Sequence, residues 1–139
     1  MIQRGIKILG VIVVLACIAA CATMSDVVKS KQNGQINVYT VSADQAWEIA
    51  KSVFRWANAD AVEEHRKEGY LTASSGANVM VAWIEPLDKK IIRVTVTSKR
   101  RILINPLTDL TERDFHNYFA QGVEIVNSGK PLPSSRPKK

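Results

Sequence analysis

The chain has little of the residue types on which metal and thiol chemistry depend. Its 139 residues include two cysteines and two histidines. A helical metal site needs a second ligand three or four positions from a histidine. Glu112 is the only such neighbour of His116, and Glu64 merely adjoins His65. We therefore predict that the protein binds no metal ion and that both histidines lie on the solvated surface.

The sequence also lacks the short motifs of nucleophilic catalysis and phosphate binding. It contains no Gly-x-Ser-x-Gly elbow, and its glycines do not cluster into a phosphate-binding loop. Glu63 and Glu64 are adjacent, so on a strand their side chains point to opposite faces and form no general-acid pair. These absences favour a protein that is not an enzyme and needs no cofactor.

The excess of positive charge is confined to the two ends of the chain. The formal net charge is +6, yet residues 21–127 carry 13 Lys and Arg against 13 Asp and Glu. A nucleic-acid-binding domain carries a basic face of its own. The electrical balance of residues 21–127 therefore argues against nucleic acid as a partner.

The first twenty residues have the form of an export signal. Arg4 and Lys7 give a positive start, and the 17 residues from Ile8 to Met24 carry no charge. A basic start, an apolar middle and small residues at the end are typical of a secretory signal peptide. The sequence thus predicts that residues 1–20 direct the protein out of the cytoplasm.

The apolar run ends in a motif at which lipid attachment is expected. Ile18-Ala19-Ala20-Cys21 resembles the lipobox of bacterial lipoproteins, with an apolar residue, two small residues and the cysteine that becomes the mature N-terminus. The resemblance implies cleavage between Ala20 and Cys21 and acylation of Cys21, which attaches the protein to a membrane. Cys17 would leave with the leader, so the mature protein would have neither a free thiol nor a disulfide.

Two other interpretations of the leader remain open. Ordinary cleavage after Ala20 or Ala22 would leave Cys21 unlipidated, whereas an uncleaved leader would be a membrane anchor, because 17 uncharged residues are at the short limit of a spanning helix. For a lipoprotein of a Gram-negative source, an aspartate after the cysteine favours the inner membrane. Ala22 stands at that position. The resemblance then implies the outer membrane, with the domain facing the periplasm.

Residues 36–127 are predicted to form one small α+β domain, after a flexible tether of residues 21–35. Apolar residues recur at helical spacing over 43–57 and 111–127, behind the capping residues Ser42 and Thr111. Strand patterns cover 36–41, 61–66, 70–74, 79–85 and 91–99.

This order of elements predicts a two-layer sandwich, in which an antiparallel sheet of four to five strands carries both helices on one face. In 91–99 apolar and polar residues alternate, which predicts one buried and one solvated face of the sheet. The layout is similar to that of small periplasmic lipoprotein domains without an assigned activity. Residues 128–139 hold three prolines, three serines and four cations, and we predict a disordered basic tail there.

Two tryptophans and a run of cations are the candidate binding residues. Trp56 lies off the apolar stripe of its helix, and Trp83 belongs to one of two competing apolar sets in 79–84. If both are exposed, they form a docking patch for a protein. Lys99-Arg100-Arg101 could meet anionic lipid headgroups, lipopolysaccharide or peptidoglycan. Such a run also forms a solvated strand end that discourages pairing of strand edges, and the sequence favours that simpler role.

Together these features predict a non-catalytic, lipid-anchored accessory or scaffold protein of the bacterial envelope that binds another envelope protein. The alternative is a module that binds a small amphiphile, a glycan or an anionic envelope component. A pocket between sheet and helices would favour the alternative, and a filled core would favour the scaffold. A buried, hydrogen-bonded His65 or His116 would instead favour an enzyme.

Overall fold

The computed structural model describes residues 30–74, 78–100 and 110–137. In these ranges an antiparallel sheet has the strand order β1-β5-β4-β3-β2, and two helices pack against it. The elements are β1 (Gln35–Tyr39), α1 (Ala43–Trp56), β2 (Ala61–His65), β3 (Tyr70–Ser74), β4 (Asn78–Asp88), β5 (Ile91–Arg100) and α2 (Glu112–Asn127). The predicted α+β class, with helices on one face of an antiparallel sheet, is confirmed.

Both helices begin at the capping residues that the sequence predicts. The Ser42 hydroxyl accepts the backbone N–H of Gln45 at 3.3 Å, and the Gln45 side chain accepts the Ser42 N–H at 3.3 Å. Thr111 and Asp114 make the same reciprocal pair at the start of α2, at 3.0 and 3.4 Å. Each cap satisfies amides that have no partner within the helix, which fixes where the helix starts.

The β2–β3 turn depends on a glycine. Gly69 has a φ of 82°, a conformation that residues with a Cβ rarely adopt. Its carbonyl accepts the N–H of Ile84 at 2.9 Å, which joins the turn to β4.

The β4–β5 hairpin is tighter than predicted, because β4 continues to Asp88. Pro86 therefore lies within a strand, paired with Ile92. The pairing of β3 with β4 ends at Tyr70 and Trp83, so the β3 side of β4 is open at Pro86. A proline, which has no N–H to donate, is tolerated at such an open edge.

The core lies between the sheet and the helices. Three phenylalanine rings fill its centre: those of Phe54 and Phe115 lie 5.1 Å apart, and those of Phe115 and Phe119 lie 5.9 Å apart. The two helices approach closely at Gly122, where a Cβ would lie 2.6 Å from Ile49 Cγ2. The sheet contributes Leu71, Ala73, Met80, Ala82, Ile84, Ile92, Val94 and Val96 to this core.

The sheet face that points away from the helices, the outer face, is not simply solvated, which corrects the prediction from alternation. Thr95 and Thr97 of β5 are buried there, as are Val79 and Val81 of β4. The physical reason is that both alternating residue sets of β4 are apolar, so β4 buries side chains on both sides. Gly34 crosses β5 on this face, where an added Cβ would lie 2.8 Å from a methyl of each threonine.

Residues 30–35 belong to the domain, although the sequence predicts that it begins at residue 36. Ser30–Asn33 form a short 3₁₀ helix directly before β1. The Lys31 ammonium forms an ion pair with Glu85 and lies 6.0 Å from the centre of the Trp83 ring. These contacts hold the 3₁₀ helix on the outer face, so the predicted tether of residues 21–35 loses its last six residues to the domain.

Residues 128–137 lie against the helices, which corrects the prediction of a disordered tail. The Trp56 indole N–H donates to the Pro133 carbonyl at 2.9 Å, and Leu132 packs against the core. The Arg136 guanidinium lies 4.4 Å from the centre of the Tyr118 ring. Composition favours disorder only where a segment has nothing to bury. This segment covers Trp56 and packs Leu132 against the core, and it is therefore ordered.

Candidate functional site

The predicted tryptophan docking patch does not exist. Trp56 is 6% exposed and Trp83 is 5% exposed. Trp56 lies under the C-terminal segment at Pro133, whereas Trp83 lies on the outer face of the sheet beside Lys31. Each ring is covered by a part of the chain distant in sequence, which the spacing within one element does not reveal.

The predicted cationic run is placed only in part. Lys99 is exposed near the end of β5, and Arg100 is the last residue of that strand. The side chain of Arg100 lies outside the described residues, as do Arg101 and the predicted processing site Ala20-Cys21. Lys89 and Lys90 stand at the other end of β5, about 30 Å from Lys99 at the rise of a strand. The two groups of cations are therefore separate surfaces.

His116 is buried, which corrects its assignment to the solvated surface. It is 4% exposed and lies between α2 and β1. Its Nε2 lies 2.8 Å from the Gln35 carbonyl, and its Nδ1 lies 2.6 Å from the Tyr39 hydroxyl. A carbonyl only accepts, so Nε2 carries the proton and donates it, and Nδ1 accepts from Tyr39. The only indication of this burial in the sequence is that His116 lies three residues before Phe119, at the border of the apolar stripe of its helix.

Burial keeps both members of the His116–Tyr39 pair neutral. It raises the pKa of Tyr39 to about 12, although a hydrogen bond from Asn37 acts in the opposite direction. It also lowers the pKa of His116 below the ordinary value of 6.5, against the effects of the Gln35 carbonyl and Glu112. A general base needs an available lone pair, and the one on Nδ1 is taken up by Tyr39. His116 thus meets the criterion of burial and hydrogen bonding that would favour an enzyme, but its occupied lone pair assigns it to a structural link between α2 and β1.

Further polar contacts extend this link along α2. Near its start, the Glu112 carboxylate accepts the Ser98 N–H of β5 at 3.0 Å. At its end, the Asn127 amide donates to the Thr40 carbonyl at 3.0 Å. With His116 between them, the three contacts hold α2 across the β1 edge of the sheet.

His65, the second candidate histidine, is partly exposed on β2 and lies far from His116. Its ring stacks on Tyr70 at 4.7 Å, and Tyr70 in turn lies 6.2 Å from Trp83. The Glu63 carboxylate lies 3.6 Å from His65 Nε2. The three rings form an aromatic row on the outer face, and the structure does not bring the two histidines together.

A patch of exposed apolar side chains is the surface feature that the sequence analysis missed. We call it the outer corner and define it by Ile36, Val38, Leu87 and Ile91, together with Lys89 and Lys90. The four apolar residues are between 39% and 56% exposed. Ile36 and Val38 are the apolar set in the alternation of β1. Tyr39, on the opposite side of the strand, pairs with Ile92 of the core, so Ile36 and Val38 lie on the outer face.

Within the described residues 30–74, 78–100 and 110–137, no group of three or more His, Cys, Asp or Glu side chains is arranged to hold a metal ion. In the same ranges, no helix is long and apolar enough to cross a membrane.

No protein-family model matches the chain, and no curated protein matches it. Among solved structures, it is similar to the crystal structure of a conserved protein from Geobacillus kaustophilus. The TM-score is 0.37 with 10% identity, over 67% of this chain and 93% of that chain. At this level the likeness carries no argument about fold or function.

Proposed function

We propose that the protein is a non-catalytic, lipid-anchored accessory or scaffold protein of the bacterial envelope, with another envelope protein as its partner. The observation that carries the proposal is the lipobox-like Ile18-Ala19-Ala20-Cys21, whose cysteine lies nine residues before Ser30, the first residue that the structure describes. For a Gram-negative source, Ala22 favours the outer membrane, with the domain in the periplasm.

The length of this connection supports a domain held close to a bilayer. A chain of nine residues spans at most about 30 Å even when it is fully extended. One acyl chain alone anchors a protein only marginally, whereas two or three give stable attachment. A lipoprotein with a short tether would therefore keep its domain at the membrane surface.

A role without catalysis is supported by the interior of the domain. The lone pair on His116 Nδ1 is occupied by Tyr39, and both groups are neutral near pH 7. Between sheet and helices, Phe54, Phe115 and Phe119 are almost completely buried in one apolar cluster. A filled interior favours the scaffold over a module that encloses a small amphiphile.

The test is the intact mass of the mature protein, purified from the membrane fraction of cells that express the full chain. We expect a chain that begins at Cys21 and carries the added mass of a diacylglyceryl group and an amide-linked acyl chain. Cys21→Ser should abolish this added mass, whereas the matched control Cys17→Ser should leave it unchanged. An unmodified chain that begins near Ala22, or one that retains Met1, would overturn the anchor and the localisation derived from it.

A further inference from the structure

The apolar residues of the outer corner lie on the edge strand β1 and at the β4–β5 turn. Val38 pairs with Arg93 of β5, and Ile91 lies two residues before Arg93 on the same face. Leu87 lies at the irregularity where β4 pairs with the start of β5, next to Asp88 and Ile91. All four side chains are 39% or more exposed, and they occupy the sheet edge and the end of the hairpin beside it.

Cations surround this apolar surface. Lys89 and Lys90 form the exposed turn of the hairpin. Arg93 lies 3.3 Å from Glu85, which also pairs with Lys31. The charged side chains on and around the outer corner are Lys31, Glu85, Asp88, Lys89, Lys90 and Arg93, with a net charge of +2. An apolar centre with a cationic border is complementary to an anionic lipid surface.

The chain enters the folded domain on the same face. The 3₁₀ helix Ser30–Asn33 is held on the outer face by the contacts of Lys31 with Glu85 and Trp83. Nine residues from Cys21 to Ser30 span at most about 30 Å when fully extended. An acylated Cys21 therefore limits the distance between the bilayer and the outer face more tightly than that between the bilayer and the helices.

We propose that the outer corner is the surface through which the tethered domain rests on an anionic bilayer. Leu87 and Ile91 insert at the level of the headgroups, and Lys89 and Lys90 contact the lipid phosphates. The inference rests on the lipid anchor proposed above and adds an orientation to it. The sheet faces the membrane, and the helices face away from it.

The size of the outer corner fits a membrane contact better than a protein interface. Its four apolar residues are far fewer than the roughly 20–30 residues that each partner contributes to a stable protein complex. A tethered domain needs no interface of that size, because the anchor already keeps it within reach of the bilayer.

The experiment places a fluorescent probe on the acylated protein in vesicles that contain a spin-labelled lipid as quencher. Ile91→Cys puts the probe in the outer corner, and Asn117→Cys puts a matched probe on the exposed side of α2. In vesicles of phosphatidylcholine and phosphatidylglycerol, we expect several-fold stronger quenching at position 91 than at position 117. Leu87→Cys should behave like the probe at position 91.

The charge dependence is the second part of the test. Vesicles of phosphatidylcholine alone, or Lys89→Glu with Lys90→Glu, should reduce the quenching at position 91, because each lysine near an anionic surface changes the equilibrium constant of docking about fivefold. Equal quenching of the probes at 91 and 117 on acylated protein overturns the proposal. A mass spectrum of the labelled sample without acyl chains overturns the anchor as well, and so separates the two failures.

Discussion

The two faces of the sheet are built from the same strands but are covered in different ways. On the inner face, Met80, Ala82 and Ile84 of β4 join a continuous core with both helices. On the outer face, Val79, Val81 and Trp83 form a smaller buried cluster with Tyr70. The outer face also carries the exposed apolar side chains of Ile36 and Val38 on its edge strand β1.

This difference indicates how stability and surface properties are divided in the domain. Side chains on the inner face contact atoms on all sides, so their removal leaves a cavity. The residues of the outer corner have one side open, so their removal changes the surface without opening the interior. We therefore expect the inner face to determine the free energy of unfolding and the outer corner to be available for a contact.

The sharpest test of this division compares Phe119→Ala with Val38→Ala. Phe119 is fully buried, with its ring 4.6 Å from that of Tyr39. Its truncation should lower the free energy of unfolding by about 3–5 kcal/mol. Val38→Ala should change it by less than about 0.5 kcal/mol. Urea unfolding followed by tryptophan fluorescence measures both, and similar losses for the two variants would refute the division.

The next effect in size concerns the glycine at which the helices meet. In Gly122→Ala the new methyl would lie 2.6 Å from Ile49 Cγ2, and we expect a loss of about 1–3 kcal/mol. In an Ile49→Ala background that methyl group is absent. There, Gly122→Ala should stabilise the protein by up to about 1 kcal/mol through the better helix propensity of alanine. An unchanged loss in that background would show that the contact with Ile49 is not its cause.

Gly34→Ala is the outer-face counterpart of that substitution. Its methyl would lie 2.8 Å from the Thr95 and Thr97 methyl groups and 2.9 Å from the Val96 carbonyl oxygen. A backbone oxygen does not move away as a side chain can, so trimming Thr95→Ser should restore only part of the loss of about 1–3 kcal/mol. Full recovery in the double variant, measured by urea unfolding, would contradict a close backbone approach.

A smaller effect is expected where the C-terminal segment covers α1. Trp56→Phe removes the indole donor to the Pro133 carbonyl while it keeps most of the apolar ring. We expect a loss of about 1 kcal/mol and faster proteolysis of residues 128–137. Trp47→Phe is the control on the same helix and should leave the cleavage rate of that segment unchanged.

The smallest effect is a dependence of stability on pH near the β1 edge. Burial lowers the pKa of His116 in the folded protein below the unfolded value of 6.5, so the unfolded chain binds the proton more readily. The contribution of His116 to the free energy of unfolding should be constant above pH 6.5 and should decrease as the pH falls below 6.5. His116→Gln should remove this decrease, and His65→Gln should retain it. Urea midpoints measured across the pH range give the pH dependence of stability. An equal pH dependence in both variants would show that His116 is not the group responsible.

The elements themselves were predictable because their signals are local. The reciprocal caps at Ser42 and Thr111 each join residues three positions apart. The candidate site was less predictable. The burial of Trp56 depends on Pro133, and that of His116 depends on Tyr39, each 77 residues away in sequence.

The sequence by itself determined the α+β class, the order of the elements and the places where the helices begin. These depend on periodicity and capping, which act over one or two turns of chain. Only the tertiary structure decided which face of each element is covered, because β4 is apolar on both sides and the register of β1 with β5 directs Ile36 and Val38 outwards. The outer corner results from that register, so its existence follows from the packing of distant segments rather than from any one of them.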